Sequence, residues 1–389
     1  MKSAYLGFRA TELSPTSELL GSLHASNSDI GEQHLLAYTP VARVNPYQAL
    51  CYKQFPNEGI MAAPVLQPAK FLDLQNLSLK PLTKTLHLHW NSWMTQGMED
   101  PDRAKMMGMG MAGRLQRLQK FGFNIIWTVH NVYPHDAMHV GVELEIQQRI
   151  ADTADVLHVM SDATVDAMSG ITEIDRSKIL VSPHPSYKGA YPDYVNREDA
   201  RAALGIHGDE MVFLVFGALK AYKGLSRTLD AFDLLVAKNP EQRFRMVFAG
   251  KADSSDEVQE FVARANVHPR VLIEESNIPT DKVQYFMRAA DVGVVHYARS
   301  LNSGAALLFG AFDLPVVASS TPTFMAELNS ESTVFVGDDS AASLADSMEK
   351  SIDIVGLDST LAAISAEQSR LSADKVSSQF AQDLIKRIK

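Results

Sequence analysis

MVFLVFGALKAYKGL, residues 211–225, joins an unbroken apolar run to a short polar loop and the start of a helix. The run MVFLVFG (211–217) has the length and continuous hydrophobicity of a strand that is buried on both faces. After the loop, apolar residues recur at helical spacing on one face, namely Leu225, Leu229, Phe232 and Val236. The stretch therefore predicts a β-strand, a glycine-bounded turn and an amphipathic helix, which together form one unit of an α/β fold.

The same alternation continues towards the C-terminus. Further strands are predicted at 243–250, 271–275, 291–297, 314–319 and 332–338. Helical patterns lie between them, among them Asp281–Ala290 and Gly304–Phe312. Because buried strands separated by helices pair in parallel through right-handed crossovers, this half of the chain predicts a Rossmann-like domain.

An earlier series of the same kind begins near residue 34. Its predicted strands are 34–41, 59–65, 85–90, 124–131, 155–161 and 178–185, and its longer predicted helices are 102–121 and 140–154. A further helix is predicted after Asn45, a suitable N-cap, with Pro46 at its first position. The predicted fold class is α/β, with two Rossmann-like domains whose parallel sheets face each other across a cleft.

A proline-, glycine- and tyrosine-rich stretch, PHPSYKGAYPDYVN (183–196), has no hydrophobic period and is the predicted linker. We therefore expect an N-terminal domain of residues 1–185 and a C-terminal domain of residues 186–373. The last segment, 374–389, carries one apolar helical stripe, made of Val376, Phe380, Leu384 and Ile388. This helix is expected to pack back on the N-terminal domain.

Composition limits the possible functions. The chain has 389 residues and a formal charge of −10, which argues against nucleic-acid binding, because that requires a basic surface. Cys51 is the single cysteine, which excludes intrachain disulfides and cysteine-rich zinc modules. No run approaches eighteen apolar residues, and the N-terminal segment has charges within its apolar part. We expect neither a membrane-spanning helix nor a secretory signal, and hence a cytoplasmic protein.

The loop between the strand and the helix of 211–225 suits a diphosphate. Lys220 and Lys223 supply positive charge, while Gly217 and Gly224 let the backbone approach phosphate oxygens. The alternative is a tight strand–helix turn with two solvated lysines. Residues 302–304 form a comparable site, since Asn302, Ser303 and Gly304 precede an apolar helix whose first N–H groups can bind an anion. The alternative there is an ordinary helix cap.

A histidine-rich segment, WTVHNVYPHDAMH (127–139), follows a predicted strand of the first series. His130 and Asn131 end the strand and can reach a sugar hydroxyl or a leaving phosphate, and His135 beside Asp136 has the composition of a general base. The alternative is a capping network. A zinc site is disfavoured because neither His135 with His139 nor His87 with His89 has a third ligand at convincing spacing. Asp100-Pro101-Asp102 is better explained as the first turn of a helix than as a metal–diphosphate motif.

With these segments, the chain resembles the GT-B glycosyltransferases of the large family four. The resemblance covers residues 34–389 and rests on WTVHN (127–131), SPHPSYKGAYP (182–192), FGALKAYKGL (216–225) and the NSG and PVVAS segments of 302–319. It implies a nucleotide-diphosphate sugar as co-substrate in the C-terminal domain, an acceptor in the N-terminal domain, no metal cofactor and retention of anomeric configuration.

The resemblance also implies roles for individual residues. His130 would contact the transferred sugar, and Lys223 would bind the diphosphate; the usual arginine position is Ala218, so Lys220 would replace it. We therefore predict His130, Lys220 and Lys223 as catalytic residues. Family members also carry two glutamates eight residues apart, and the matching positions here are Ser300 and Leu308. Without those carboxylates, retention and inversion both stay open.

Other loops after predicted strands provide weaker candidates. Arg43 and Asn45 follow the first strand and, with Asn131 and His135, are the acceptor-side candidates. Gly250 and Lys251, together with Asn277 and Ile278, follow strands of the second series and are candidates for the base pocket. Exposed turns explain these segments equally well.

Residues 94–120 combine six of the sixteen methionines with a following basic stripe that includes Arg114, Arg117 and Lys120. Such a segment suits an acceptor groove or peripheral contact with anionic lipid at the inner face of the membrane. A core helix with a solvated basic face explains it as well.

The sequence thus predicts a metal-independent hexosyltransferase that moves a sugar onto a hydroxyl of a glycan or lipid-linked glycan, in polysaccharide or glycoconjugate biosynthesis. The alternative is a non-catalytic protein on the same fold that binds a sugar or a nucleotide sugar. A nicotinamide-dependent oxidoreductase is rejected, because GMGMAG (108–113) lies inside a predicted helix and not after a strand.

Overall fold

The computed structural model describes residues 34–42, 45–76, 82–134, 137–297 and 300–388. The chain divides into two compact units, Met1–Pro185 with Ala373–Lys389, and Ser186–Ser372. Each unit contains one six-stranded parallel sheet. The predicted α/β class with two Rossmann-like sheets is therefore confirmed.

The sheet of the first unit has the order β2-β1-β3-β4-β5-β6. Its strands are β1 (His34–Thr39), β2 (Ile60–Pro64), β3 (Thr83–Leu88), β4 (Phe123–Thr128), β5 (Val156–Val159) and β6 (Ile179–Val181). The observed strands lie within a few residues of the predicted ones. Since β1 and β3 are neighbours, as are β3 and β4, the segments that follow these strands meet at one edge of the sheet.

Helices connect these strands. They are α1 (Tyr47–Cys51), α2 (Pro101–Gln119), α3 (Val140–Thr153) and α4 (Ala163–Ala167), with 3₁₀ turns at Phe55–Glu58, Pro68–Asn76, Ser92–Met94 and Arg176–Lys178. Residues 100–102 form the first turn of helix α2, as predicted. Asp100 is the N-cap, and its carboxylate accepts a hydrogen bond from the Asp102 N–H at 2.9 Å. The N-cap of helix α1 is Pro46 and not, as was predicted, Asn45; Asn45 Oδ1 accepts from the Tyr47 N–H at 2.9 Å.

The methionine-rich helix α2 does not bury its methionines. Its buried face consists of small and aliphatic residues, namely Ala104, Gly108, Ala112, Leu115 and Leu118. Met106 is 67% exposed, and Gly108 faces Ile146 so closely that a Cβ there would lie 2.2 Å from the Ile146 side chain. The core-helix interpretation therefore holds for the helix but not for these methionines. GMGMAG lies inside this helix, as predicted.

The sheet of the second unit has the order β12-β11-β10-β7-β8-β9. Its strands are β7 (Met211–Phe216), β8 (Phe244–Ala249), β9 (Val271–Glu274), β10 (Val292–Val295), β11 (Val316–Ser319) and β12 (Thr333–Val336). The chain proceeds outward from β7 to β9 and then returns to place β10 on the other side of β7. The strand order therefore reverses between β7 and β10, the place where open parallel sheets bind ligands.

The helices of this unit cover both faces of the sheet. They are α5 (Arg197–Ala203), α6 (Leu225–Lys238), α7 (Asp256–Asn266), α8 (Val283–Ala289), α9 (Gly304–Ala311), α10 (Pro322–Glu327), α11 (Ala341–Ile352) and α12 (Asp358–Arg370). The predicted stripe of α6 packs into the main apolar core, with Leu225, Leu229 and Phe232 at most 2% exposed. No described helix in either unit combines the length and hydrophobicity needed to cross a lipid bilayer.

The last helix, α13 (Ala373–Ile385), belongs to the first unit. Phe380 packs against Phe55 with ring centroids 5.5 Å apart and stacks on His158 at 4.4 Å. The Ser377 hydroxyl accepts from the Gln54 N–H at 2.8 Å. The apolar stripe read from the sequence thus covers one end of this unit's core.

Candidate active site

Two loops of the second unit meet where its strand order reverses. Residues 217–224 follow β7, and residues 296–303 follow β10, apart from the undescribed positions 298–299. Because β7 and β10 are hydrogen-bonded parallel neighbours, their carboxyl ends lie at the same edge of the sheet. The predicted lysine loop and the predicted helix cap are therefore brought to one place.

Lys223 is the most constrained cation of this edge. Its side chain is only 6% exposed, its Nζ donates to the Phe216 carbonyl at 3.0 Å, and it lies 5.6 Å from the centroid of the Tyr297 ring. Burial, helped by the nearby charge of Lys220, lowers the pKa of Lys223 to about 7. No carboxylate among the described residues pairs with Lys223, and a bound anion would therefore stabilise this buried ammonium.

Tyr297 connects the lysine to the helix that follows. A hydrogen bond joins the Tyr297 and Ser303 side chains, and burial raises the pKa of Tyr297 to about 12. Ser303 also caps α9, where its Oγ accepts from the Ala306 N–H at 3.2 Å. The first N–H groups of a helix lack intrahelical acceptors, so those of Gly304 and Ala305 are suited to an anion.

Glycines at this edge are required by close approaches. A Cβ on Gly250, whose φ is 147°, would lie 2.3 Å from the Gly217 carbonyl oxygen. Gly217 itself has φ 87°, and a Cβ on it would lie 3.4 Å from the Lys223 Nζ. A Cβ on Gly304 would lie 3.1 Å from the Tyr187 hydroxyl. Tyr187 and Tyr297 were not among the predicted site residues, although Tyr187 lies in the quoted segment 182–192.

The two positions that would match the family's glutamates have other roles. The Ser300 hydroxyl donates to the Asn302 carbonyl at 2.5 Å, which shapes the loop before α9. Leu308 lies within α9 and is buried. Neither position supplies a carboxylate.

The base-pocket candidates separate into two groups. Gly250 lies against Gly217, and the Lys251 carbonyl accepts from the Leu219 N–H at 2.8 Å, so these two residues adjoin the lysine loop. Ile278 instead borders a cavity of about 340 Å³, whereas Asn277 is exposed and does not line it. The cavity lining is Ala203, Leu204, Glu274, Ser276, Ile278, Pro279, Lys282, Tyr285 and Phe286. Phe286 packs against Phe216 with ring centroids 6.3 Å apart, so the cavity adjoins the end of β7.

In the first unit, His130 follows β4 and is buried. Its Nε2 lies 3.0 Å from His89 Nδ1, and its ring stacks on Trp90 with centroids 4.3 Å apart. Burial, with smaller contributions from His158 and His184, lowers the pKa of His130 well below the ordinary histidine value. His130 is therefore neutral at pH 7, which suits a hydrogen-bonding role.

The acceptor-side candidates are not all placed. Asn131 is partly buried directly after His130, while Arg43 and His135, with Asp136, lie outside the described residues. Asn45 uses its side-chain oxygen to accept from the Tyr47 N–H at the start of α1.

A cavity of about 140 Å³ lies beside this segment. It is lined by Ser92, Thr95, Gln96, Gly97, Met98, Pro134, Ala137, Met138, His139 and Glu143. Glu143, which the sequence did not single out, is 3% exposed and accepts a hydrogen bond from Thr95. A buried carboxylate at a cavity wall is a candidate contact for a hydroxyl-bearing ligand.

Metal chemistry was not expected from the sequence. Within the part of the chain that the structure describes, no three His, Cys, Asp or Glu side chains form a group able to hold a metal ion. The metal-independent reaction stays a prediction.

A known protein family matches part of the second unit. Residues 210–353 match the family described as glycosyl transferases group 1. The D-inositol 3-phosphate glycosyltransferase of Corynebacterium aurimucosum is 27% identical over 214 residues, which cover 53% of this chain and 51% of that protein. This chain thus spans about half the length of the curated relative it matches.

Solved structures resemble nearly the whole chain. Sucrose-phosphate synthase from Thermosynechococcus elongatus gives a TM-score of 0.68 at 16% identity, covering 91% of this chain and 99% of that one. Anabaena HepE in complex with UDP and glucose gives 0.64 at 13%, covering 91% and 99%. The UDP-forming α,α-trehalose-phosphate synthase from Burkholderia xenovorans, in complex with glucose-6-phosphate, gives 0.66 at 12%, covering 90% and 100%.

These identities are low enough that the structural likeness shows the fold alone. The matched residues include all six strands of the second unit's sheet, together with Lys223 and Ser303. This chain therefore has the fold of a GT-B glycosyltransferase, and its residues 210–353 match the model of the glycosyl transferases group 1 family.

Proposed function

We propose that this chain transfers a sugar from a nucleotide-diphosphate sugar to a hydroxyl of an acceptor, and that its second unit binds the donor. The observation that carries the proposal is the grouping of Lys223, Tyr297 and Ser303 at the point where the strand order reverses. The family match covers this sheet and supports the same assignment. The motifs of the sequence favour family four, in a divergent subgroup that lacks the paired glutamates at positions 300 and 308.

In the proposed reaction, Lys223 and the first N–H groups of α9 bind the pyrophosphate. Negative charge on the departing diphosphate grows as the glycosidic bond breaks, so these groups stabilise the transition state more than the ground state. Lys220 adds positive charge close enough to lower the pKa of Lys223. Ionised hydrogen bonds of this kind contribute about 1.5–3 kcal/mol each.

We assign the nucleobase to the cavity bordered by Ile278. It adjoins the end of β7 through Phe286 and Phe216, and its lining combines aromatic and polar groups, as small-molecule sites usually do. The nucleotide is proposed to be UDP, since HepE was solved with UDP and one trehalose-phosphate synthase is described as UDP-forming.

We assign the acceptor to the first unit and propose that His130 contacts a substrate hydroxyl. Glycans and lipid-linked glycans are the acceptors that the sequence suggests. The names of the relatives add phosphorylated acceptors, because one acts on D-inositol 3-phosphate and one was solved with glucose-6-phosphate. A hydroxyl of a phosphorylated polyol or sugar is therefore part of the proposed acceptor class.

The deciding experiment combines binding and turnover. We expect one member of a panel of UDP-, GDP- and ADP-sugars to raise the melting temperature, because a ligand that binds only the native state stabilises it. With that donor, release of free nucleotide should accelerate when D-inositol 3-phosphate, glucose-6-phosphate or a glycan acceptor is added. Stabilisation without release of nucleotide would instead support the non-catalytic binding protein. No stabilisation by any nucleotide sugar would contradict the donor site.

We further propose that the reaction needs no metal ion, because the cations at the donor site are side chains. Activity should then be the same in EDTA as in magnesium. A loss of activity in EDTA that magnesium restores would contradict this part of the proposal.

We also propose peripheral membrane contact through residues 94–120 at the cytoplasmic face. Support comes from the exposed apolar side chains of Met106, Met107 and nearby Phe121, which lie on or next to a helix with exposed basic residues. The protein should sediment with vesicles that contain phosphatidylglycerol but not with pure phosphatidylcholine. The double variant Met106→Ser, Met107→Ser should reduce this binding, and equal sedimentation of both proteins would contradict the contact.

A further inference from the structure

A buried series of hydrogen-bonding side chains runs through the first unit from the Ser182 carbonyl to His130. We call it the tautomer chain; in order from the carbonyl, its members are His158, Thr128, His87, Tyr52, His89 and His130. Each member is less than 9% exposed. The sheet register contributes to this arrangement, because Thr128 of β4 is paired with His158 of β5.

The first links fix a direction. The Ser182 carbonyl can only accept, so His158 Nε2, 3.0 Å away, must carry a proton. A neutral imidazole has one N–H, so His158 Nδ1 is an acceptor for the Thr128 hydroxyl at 2.8 Å. The only proton of the Thr128 hydroxyl is donated to His158, so its oxygen must accept a hydrogen bond from His87 Nε2 at 2.6 Å.

The same logic continues to the end. His87 Nδ1 is then an acceptor, and the Tyr52 hydroxyl, 2.8 Å away, donates to it. Tyr52 must in turn accept from His89 Nε2 at 2.6 Å, which leaves His89 Nδ1 as an acceptor. Among the described residues, the group placed to donate to it is His130 Nε2, at 3.0 Å.

The four imidazole rings are neutral at pH 7. Burial is the main cause that lowers the pKa of His158 to about 4 and the pKa values of His87, His89 and His130 well below the ordinary range. Each ring therefore carries one nitrogen-bound proton at pH 7. Each ring and each hydroxyl donates one hydrogen bond towards Ser182, and each except His130 accepts one from the His130 side, so all the hydrogen bonds point the same way.

We propose that the Ser182 carbonyl fixes the tautomer of His130 through the tautomer chain, so that His130 carries its proton on Nε2 and a lone pair on Nδ1. Thr128 and Tyr52 are thus positioning residues. Where it concerns catalysis, the inference rests on the proposed function: a substrate hydroxyl at Nδ1 donates to His130 and cannot accept from it.

The wild-type protein tests the tautomers directly. The full-length protein is labelled with ¹⁵N-histidine and studied by long-range ¹H–¹⁵N NMR spectra, in which the chemical shifts of the two ring nitrogens identify the tautomer. Variants in which one histidine at a time is replaced assign the signals. We expect the Nε2–H tautomer for His87, His89, His130 and His158. A Nδ1–H tautomer or an imidazolium at any of these four positions, at pH 7, would overturn the inference.

A pair of tyrosine variants tests the coupling. Tyr52→Phe cuts the chain between His87 and His89, so His130 should begin to populate the Nδ1–H tautomer while His158 keeps Nε2–H. Tyr47→Phe is the matched control, because the Tyr47 ring packs 5.4 Å from His130 but lies outside the tautomer chain. An unchanged His130 signal in Tyr52→Phe, or an equal change in Tyr47→Phe, would overturn the coupling.

Activity separates this inference from the proposed function. If Tyr52→Phe equalises the two tautomers, half of the molecules are competent and kcat should fall about twofold. Thr128→Ser, which keeps the hydroxyl, should retain both the tautomers and the wild-type kcat. Nε2–H tautomers in a protein with no transferase activity would support the tautomer chain and contradict the proposed function. Transferase activity with Nδ1–H tautomers would support the proposed function and contradict the tautomer chain.

Discussion

The Lys223 ammonium lies 5.6 Å from the centroid of the Tyr297 ring, and the Tyr297 hydroxyl is hydrogen-bonded to the Ser303 side chain. Two loops that are eighty positions apart in sequence thus share one aromatic residue. The face of an aromatic ring attracts the lysine ammonium electrostatically. Unlike a carboxylate, the ring does not compete with an anionic ligand for that charge. This relationship is the structural basis of the proposed donor site.

Replacing Lys223 by methionine should separate binding from folding. We expect Lys223→Met to lower kcat/KM for the nucleotide sugar about tenfold to hundredfold, because it removes a charge-assisted contact. The melting temperature should not fall, since burial already disfavours the charged form. Lys238→Met is the control, because Lys238 forms exposed ion pairs with Asp346 and Glu349 in the same unit. Wild-type kinetics in Lys223→Met would contradict the assignment.

Donor binding should take up protons near neutral pH. With a pKa of about 7, Lys223 is largely charged below pH 7 and loses its charge as the pH rises through this value. A bound pyrophosphate favours the ammonium and raises its pKa, so the dissociation constant should increase with pH above 7, by at most about tenfold per unit. Calorimetry of nucleotide-sugar binding in buffers with different ionisation enthalpies measures this uptake.

Lys223→Met supplies the control for this pH effect. Its binding should be weaker but independent of pH between 7 and about 8.5, because the replaced Lys223 is the proposed donor-site group whose pKa lies near 7. Proton uptake that persists in the variant would show that another group is responsible.

The cap of α9 should have a role that an ordinary helix cap lacks. Ser303→Ala and Ser340→Ala each remove a hydroxyl that accepts a backbone N–H at a helix start, at 3.2 and 3.1 Å. Each variant should lose about 1 kcal/mol of unfolding free energy. Only Ser303→Ala should also weaken nucleotide-sugar binding, because only Ser303 is hydrogen-bonded to Tyr297. Equal donor affinity in the two variants would contradict the role of Ser303.

The close contact of Gly250 with Gly217 predicts a large stability effect. Gly250→Ala places a Cβ 2.3 Å from a carbonyl oxygen at a φ of 147°, which should cost on the order of 3 kcal/mol of unfolding free energy. Gly208→Ala, where a Cβ meets nothing within 4 Å, should stay near the wild-type value. Chemical denaturation measures both, and similar midpoints would mean that the two loops can move apart freely.

Some features were readable from the sequence because their causes are local. The apolar runs and the helical stripe of 211–236 predict which residues are buried. Asp100 and Pro101 predict the start of α2, because both residue types are favoured at helix N-termini. The buried face of α2 could not be identified from its methionines, because small residues that allow close packing, such as Gly108 against Ile146, lie on that face instead. Tyr297 was missed since a single tyrosine after a strand has no pattern that distinguishes it.

The sequence by itself determined the alternation of strands and helices, the parallel sheets and the loops rich in lysine, glycine and serine, because each depends on residues near one another in the chain. Only the tertiary structure decided which side chains meet: Lys223 with Tyr297 and Ser303, and Ser182 with His130 through the tautomer chain. The reason is physical. Strand order and register bring together residues that are tens of positions apart, and hydrophobic periodicity carries no information about that pairing.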